Sequence, residues 1–148
     1  MISYRTPVLE EWVDYNGHLR DAFYLLIFSY ATDAFMAEIG VDPARDRRSL
    51  FTLECHLNYL HEVKLGTQVQ VHTRVIGHDR KRLHLYHSLH AGDDEQPLAT
   101  TEQMLLHVDL AGPRSTPFGE ATVQCLERLQ AGQADEPSPI NIGRTITL

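Results

Sequence analysis

The chain has 148 residues, 43% of them hydrophobic, and its 20 acidic and 13 basic side chains give a formal net charge of −7. That length fits one domain with a real core and leaves no room for two ordinary ones. The acidic balance argues against a nucleic-acid partner, which calls for a basic surface, and an anionic ligand would need a local basic patch set against the overall field.

Cys55 and Cys125 stand 70 positions apart and form no C-x-x-C pair, so neither a disulfide framework nor a zinc site is expected. A reducing, cytoplasmic setting fits that cysteine usage. The first seven residues, Met-Ile-Ser-Tyr-Arg-Thr-Pro, lack the apolar core of a secretory signal. No run approaches the roughly 18 apolar residues of a membrane span, so no membrane partner is expected.

A first short strand is predicted within Ile2–Leu9, with Pro7 confining it to an edge. The stretch Trp12-Val13-Asp14-Tyr15-Asn16-Gly17-His18-Leu19 follows, and Asn16-Gly17 marks a tight turn within it. Asp21 reads as the N-cap of a helix over about Ala22–Ile39. Leu25, Phe28, Thr32, Phe35, Met36 and Ile39 fall on one helical stripe. Leu26, Ile27, Tyr30, Ala31 and Ala34 make the other faces apolar as well, so the helix is expected to be wrapped by sheet or by another subunit. Gly40 stands where a C′ glycine ends a helix.

From Leu50 the period changes to two. Phe51, Leu53, Cys55, Leu57 and Tyr59 are expected on one face, with Thr52, Glu54, His56 and Asn58 on the other. Further strands are predicted over Val69–Val75, Leu83–His90 and Leu98–Leu110, punctuated by Gly66, Gly77-His78-Asp79 and the polar loop Ala91–Gln96. Pro113–Pro117 is expected to break the last strand, and Thr116 to cap a second helix from Pro117 or Phe118 to about Leu129. Residues 133–148 read as an extended or partly disordered tail, leaving 1–132 as the folded domain. This order predicts an α+β fold in which an antiparallel sheet wraps around one long central helix. Its free edges and apolar surface would be covered in a homodimer or homotetramer.

Asp14 is the residue with the most chemistry in its surroundings: a carboxylate in a tight turn at the mouth of a helix. It could attack an activated acyl carbonyl or activate a water, while free N–H groups at the helix start hold the developing oxyanion. An Asp in such a turn can equally serve only as an Asx motif. Gly17 would let the turn adopt positive φ. Arg80-Lys81-Arg82 is the densest basic cluster, placed to meet an anionic group or simply to face solvent, with Lys64 and Arg74 as lesser cations. His84, His87 and His90 recur every three residues, which on a strand puts His87 on the face opposite the other two, so no metal site is expected.

Asp14, Gly17 and His18, followed by Phe23-Tyr24 on a helix, form a D-x-x-G-H pattern with an aromatic-rich continuation, and Leu57-Asn58-Tyr59-Leu60 leads to Gly66. In these elements residues 2 to 130 resemble the hotdog-fold thioesterases of the 4-hydroxybenzoyl-CoA thioesterase-like family. More narrowly, residues 11–18, Ala31-Thr32-Asp33-Ala34-Phe35, residues 81–85 and residues 101–107 are similar to the betainyl-CoA thioesterases of carnitine breakdown. The resemblance implies a hotdog fold and hydrolysis of a small acyl-CoA, with betainyl-CoA foremost and other short, medium-chain or aromatic acyl groups as alternatives. It implies no cofactor beyond the coenzyme A of the substrate itself. It carries the catalytic carboxylate onto Asp14 as nucleophile or general base, and the oxyanion-binding N–H onto Asp21; His18 would polarise the carbonyl or position the turn. Arg20 departs from the pattern, which has Asn there. A trimethylammonium group needs aromatic faces, and Trp12, Tyr15, Tyr24 and Tyr59 are the rings near the motif, with Glu54 or Glu102 as candidate counter-charges. Arg80, Lys81 and Arg82 would meet the coenzyme A phosphates. Acyl-CoA hydration on the same fold and non-catalytic acyl-CoA binding are the rival readings.

Overall fold

The alternating apolar pattern becomes a sheet of long antiparallel strands in the computed structural model, which describes all 148 residues. In chain order the elements are β1 (Ile2–Pro7), a single 3-10 turn (Glu10–Trp12), α1 (Asp21–Glu38), β2 (Arg48–Tyr59), β3 (Gln68–His78), β4 (Arg82–Ala91), β5 (Pro97–Asp109), β6 (Arg114–Ser115) and α2 (Glu120–Gly132). The strands lie in the order β1-β3-β4-β5-β2, with β6 paired to the end of β5. The fold is therefore the expected α+β hotdog, an antiparallel sheet around a long helix. No helix is long and apolar enough to cross a membrane.

The sheet has two distinct ends. Tyr59, Pro97, Ala91, Gln68 and Pro7 lie at one, because Tyr59 pairs with Ala99, Val69 with Ala91, and Pro7 with Gln68. Arg48, Asp109, Arg82 and His78 lie at the other. α1 crosses the inner face, burying Tyr24, Ile27, Phe28, Ala31, Thr32, Phe35 and Met36. Ile27, Phe28 and Ala31 are fully buried against Val71, Leu89 and Ala99. Truncating Phe28 to Ala would cost about 3–5 kcal/mol. Leu25 and Tyr30, in contrast, remain 39% exposed, so the buried stripe runs through Ile27 and Ala31 rather than Leu25.

Three expectations are corrected. Arg20, not Asp21, is the N-cap of α1, and Asp21 is its first helical residue. The alternation along β2 is broken by a bulge between Thr52 and Glu54. Leu50 and Thr52 face inward opposite His107 and Leu105, and beyond the bulge Cys55 and Leu57 face inward opposite Gln103 and Thr101. Phe51 and Leu53 therefore leave the set that Cys55, Leu57 and Tyr59 form, and they are 46% and 56% exposed. The last long strand does break before Pro113, at Asp109, but Arg114 and Ser115 then pair back onto Asp109 and Val108 as a short sixth strand. α2 starts only at Glu120, because the Thr116 N–H bonds to the His107 carbonyl and the Phe118 N–H to that of Arg80, which holds the intervening segment extended.

Residues after α2 lie over the outer face of the sheet. Glu136 pairs with Arg74 at 3.1 Å, and the Gly143 N–H donates to Glu102 at 2.6 Å.

A buried polar chain joins α1 to the sheet. The His87 imidazole meets Thr73 Oγ1 through Nδ1 at 2.8 Å and Thr32 Oγ1 through Nε2 at 3.1 Å. Thr32 Oγ1 also lies 3.3 Å from Gln103 Oε1. His87 is fully buried and stacked on Phe28, and burial pushes its pKa down to about 3. The folded state thus holds it neutral while the unfolded chain protonates it near its ordinary value of 6.5. Its contribution is complete above that value and is lost as pH falls towards about 3. Stability should drop by on the order of 2 kcal/mol between pH 7 and pH 5. Denaturant titrations should show a smaller drop in His87→Gln; an equal drop would assign the pH dependence to other groups.

Candidate active site

Asp14 sits in a small hairpin built from the chain around it. Val13 bridges to Leu19, the Asp14 N–H donates to the His18 carbonyl at 2.9 Å, and the Gly17 N–H donates to the Asp14 carbonyl at 2.9 Å. Gly17 takes φ +73°, the left-handed conformation that the turn requires, and nothing lies within 4 Å of where a Cβ would be. The hairpin is stitched to the segment after β2: Leu19 N–H donates to the Val63 carbonyl at 2.7 Å and Leu65 N–H to the Gly17 carbonyl at 2.9 Å. The Arg20 N–H reaches back to the Trp12 carbonyl at 3.0 Å and closes the loop just before α1.

One oxygen of Asp14 is occupied by the turn. Oδ1 accepts the Asn16 N–H at 2.8 Å and the His18 N–H at 3.2 Å, while Oδ2 has no donor within the chain. The His18 backbone bond, followed by the Asn16 bond and the nearby His18 and Arg20 charges, holds the carboxyl below its ordinary value of 3.8. Asp14 is therefore ionised at neutral pH with one oxygen free. The Asx motif and a catalytic carboxylate are compatible in this geometry, because the motif uses one oxygen and leaves the other.

The start of α1 has no side-chain cap. Asp21 Oδ1 accepts the Ala22 N–H at 2.8 Å, and the Asp21 N–H has no acceptor within the chain. A free N–H at a helix N-terminus, where the dipole favours negative charge, is suited to an oxyanion. Beside it lies a cavity of about 250 Å³ lined by Leu19, Asp21, Tyr24, Tyr59, Leu60, His61 and Glu62. The Tyr59 hydroxyl donates to the Asp21 carbonyl at 3.2 Å, and the Tyr24 hydroxyl to the His61 carbonyl at 3.1 Å. The two rings meet edge to face with centroids 5.2 Å apart. His18 Nε2 lies 3.6 Å from a Glu62 carboxylate oxygen.

Of the residues singled out in the sequence, the structure gathers Asp14, Gly17, His18, Asp21, Tyr24 and Tyr59 at one end of the sheet. Trp12 is buried and stacked on Phe23 in the core, whereas Tyr15 is 92% exposed. Glu102 is held on the outer face by His84 at 2.7 Å and by the Gly143 N–H. Glu54 lies on that face too, opposite Met104. Arg80, Lys81 and Arg82 stand at the far end of β3, which at 11 residues puts them about 30 Å from the Asp14 turn. There Arg82 pairs with Asp79 at 2.6 Å and Lys81 Nζ bonds Ser115 Oγ at 3.0 Å, while Arg80 has no ion pair. Glu62 and His61 were not singled out in the sequence. They follow a strand end, and no local spacing ties them to a helix that starts some 40 positions earlier.

The thioesterase-like superfamily model matches residues 8–126, and the chain belongs to that family. It is 59% identical to a betainyl-CoA thioesterase from Pseudomonas aeruginosa, over all of this chain and 95% of that protein. It is 41% identical to an L-carnitine dehydrogenase/betainyl-CoA thioesterase from Agrobacterium fabrum, over 91% of this chain and 28% of that longer protein. A candidate thioesterase from Pseudomonas putida KT2440 superposes with a TM-score of 0.92 at 61% identity, covering 100% of this chain and 96% of that one. The Staphylococcus aureus protein SAV2348, solved in complex with CoA, superposes with a TM-score of 0.90 at 29% identity over 100% of this chain and 96% of its own. The chain is accordingly a thioester hydrolase of the acyl-CoA class.

Because Gly17 is left-handed with open space around it, Gly17→Ala carries a backbone cost alone, about 1–2 kcal/mol. Gly17→Asn, whose side chain tolerates that conformation, should cost less. Denaturant midpoints of the two variants check this order, and equal losses would show that the turn can relax.

Proposed function

We propose that this thioesterase hydrolyses betainyl-CoA to betaine and CoA, with Asp14 as nucleophile or general base and the Asp21 N–H as oxyanion donor. The observation that carries the catalytic assignment is the divided role of the Asp14 carboxylate: Oδ1 is fixed by two backbone N–H groups and Oδ2 is free. The substrate assignment is supported by the full-length similarity to the Pseudomonas aeruginosa enzyme.

In the base route Oδ2 takes a proton from water and the resulting hydroxide adds to the thioester carbon. In the nucleophilic route Oδ2 itself adds, and water later opens the mixed anhydride. In both, the carbonyl π electrons move to oxygen, the Asp21 N–H holds that oxyanion, and its collapse breaks the C–S bond. CoA leaves as a thiolate and is then protonated. His18 keeps the turn in shape by donating its backbone N–H to Asp14.

The active unit in this reading is a homodimer joined through β2, within a cytoplasmic enzyme. β2 is a sheet edge and leaves Phe51 and Leu53 exposed. A two-fold axis there sets the two β2 strands antiparallel. The partner's far end, with its basic cluster, then lies at the same end of the joined sheet as Asp14. Arg80, foremost of that cluster, would meet the phosphates of a CoA whose acyl end sits in the other protomer. Leu53→Asp, at an exposed bulge position, should shift the protein towards monomer in sedimentation equilibrium. An unchanged mass would place the contact elsewhere.

Thiol release from betainyl, acetyl, medium-chain and aromatic CoA esters tests the chemistry. Asp14→Asn should lower kcat by about 10³-fold on the preferred ester. Retained turnover would remove Asp14 from the mechanism. Because the turn holds the Asp14 pKa below 3.8, the ionised form persists to that pH, and the acid limb of kcat/KM should lie below it. A limb near about pH 5 or above would belong to another group. Preference for a different ester would overturn the betainyl assignment and leave the class intact.

A further inference from the structure

The cationic acyl group of betainyl-CoA is short. Its quaternary nitrogen and carbonyl carbon share one methylene, the same N–C–C arrangement as in an amino acid, so they lie about 2.5 Å apart. Whatever recognises the cation must therefore adjoin the oxyanion donor. A trimethylammonium group has no N–H to donate, which leaves ring faces and a nearby carboxylate as the groups that can select it.

The cavity beside Asp21 offers both. Tyr59 is anchored by its hydroxyl on the carbonyl of Asp21, the residue whose N–H is the oxyanion donor, yet it remains 52% exposed. Tyr24 supports it edge to face, and its own hydroxyl is tied to the His61 carbonyl, so neither ring turns freely. Glu62 lines the same cavity. Its side chain is 80% accessible and its one close side-chain partner is the His18 imidazole at 3.6 Å, so the carboxylate is free to face a ligand. Asp21, the other acidic residue of the cavity wall, spends Oδ1 on the Ala22 N–H. Glu54 and Glu102 lie on the outer face, with the sheet between them and this cavity.

We propose that Tyr59 and Glu62 determine specificity for a quaternary-ammonium acyl group, Tyr59 supplying the ring face and Glu62 the counter-charge. The assignment rests on betainyl-CoA being the substrate. A neutral ester of the same shape, 3,3-dimethylbutanoyl-CoA, replaces the nitrogen by carbon and isolates the contribution of charge.

The test is the ratio of kcat/KM for betainyl-CoA to that for 3,3-dimethylbutanoyl-CoA, in wild type, Glu62→Gln, Tyr59→Leu and Tyr59→Phe, with melting curves to establish that each variant is folded. Wild type should favour the cation. Glu62→Gln and Tyr59→Leu should each lower the ratio by about tenfold. Tyr59→Phe, which keeps the ring, should restore most of it. A wild-type preference that survives both Glu62→Gln and Tyr59→Leu would overturn this cage alone. A wild type that shows no preference would overturn the betainyl reading, and the cage with it.

Discussion

The site depends on a backbone stitch between two segments far apart in sequence. Leu19 and Gly17, in the Asp14 hairpin, bond to Val63 and Leu65, in the segment that leaves β2. Those bonds do the work of a small β-ladder and fix the hairpin against the segment that leaves β2 through the backbone itself. They also carry His61 and Glu62 to the mouth of α1, where Tyr59 reaches Asp21. The turn at Asp14 is consequently supported on both sides: by its own Asx bonds within the hairpin, and by the strand-like segment behind it. A carboxylate on an unsupported surface loop would have to be ordered each time substrate bound, at the cost of conformational entropy.

Behind that site the helix is held by something other than apolar contact alone. His87, Thr32, Thr73 and Gln103 place hydrogen-bonding groups in the middle of an otherwise apolar interface. Every such group must be satisfied or it costs more than a hydrophobic neighbour would. The chain therefore admits only a narrow range of helix positions over the sheet, which leucine and isoleucine contacts would leave looser. The orientation of α1, and so of its first N–H groups, inherits that restriction.

Much of this was legible in the sequence, and the gaps have physical causes. Period-two alternation over residues 50–110 gave the strands, and Asn16-Gly17 gave the turn, because both are local signals. The β2 parity shift was not legible, since a bulge adds one residue without leaving a compositional mark; Leu53 looks like any core-facing residue. β6 and the late start of α2 were missed for a related reason. Pro113–Pro117 read as a break, while the pairing of Arg114 and Ser115 is set by the partner strand. Asp21 was read as a cap because its residue type is ideal there, yet the loop closure at Arg20 advances the helix by one residue. The candidate residues within the motif, Asp14, Gly17 and His18, could be marked from sequence alone. Glu62 could not, because only the long-range stitch brings it into the site.

The charge of the protein acquires a particular meaning at this site. A net charge of −7 disfavours the polyanionic CoA portion of the substrate and favours a cationic acyl group. The structure separates the two demands in space: Asp14, Asp21 and Glu62 gather where the acyl group would react, and the basic Arg80–Arg82 turn lies at the opposite end of the sheet. Within one protomer that separation is too long for a single ligand to use both. Across a two-fold at β2 it becomes an asset, since the acidic end of one chain is then set beside the basic end of its partner. The same arrangement would let an acidic protein take an anionic coenzyme. In the proposed dimer the local field at the nucleotide would be governed by the partner's cations, while the acidic groups around the carbonyl would favour a quaternary ammonium beside Tyr59.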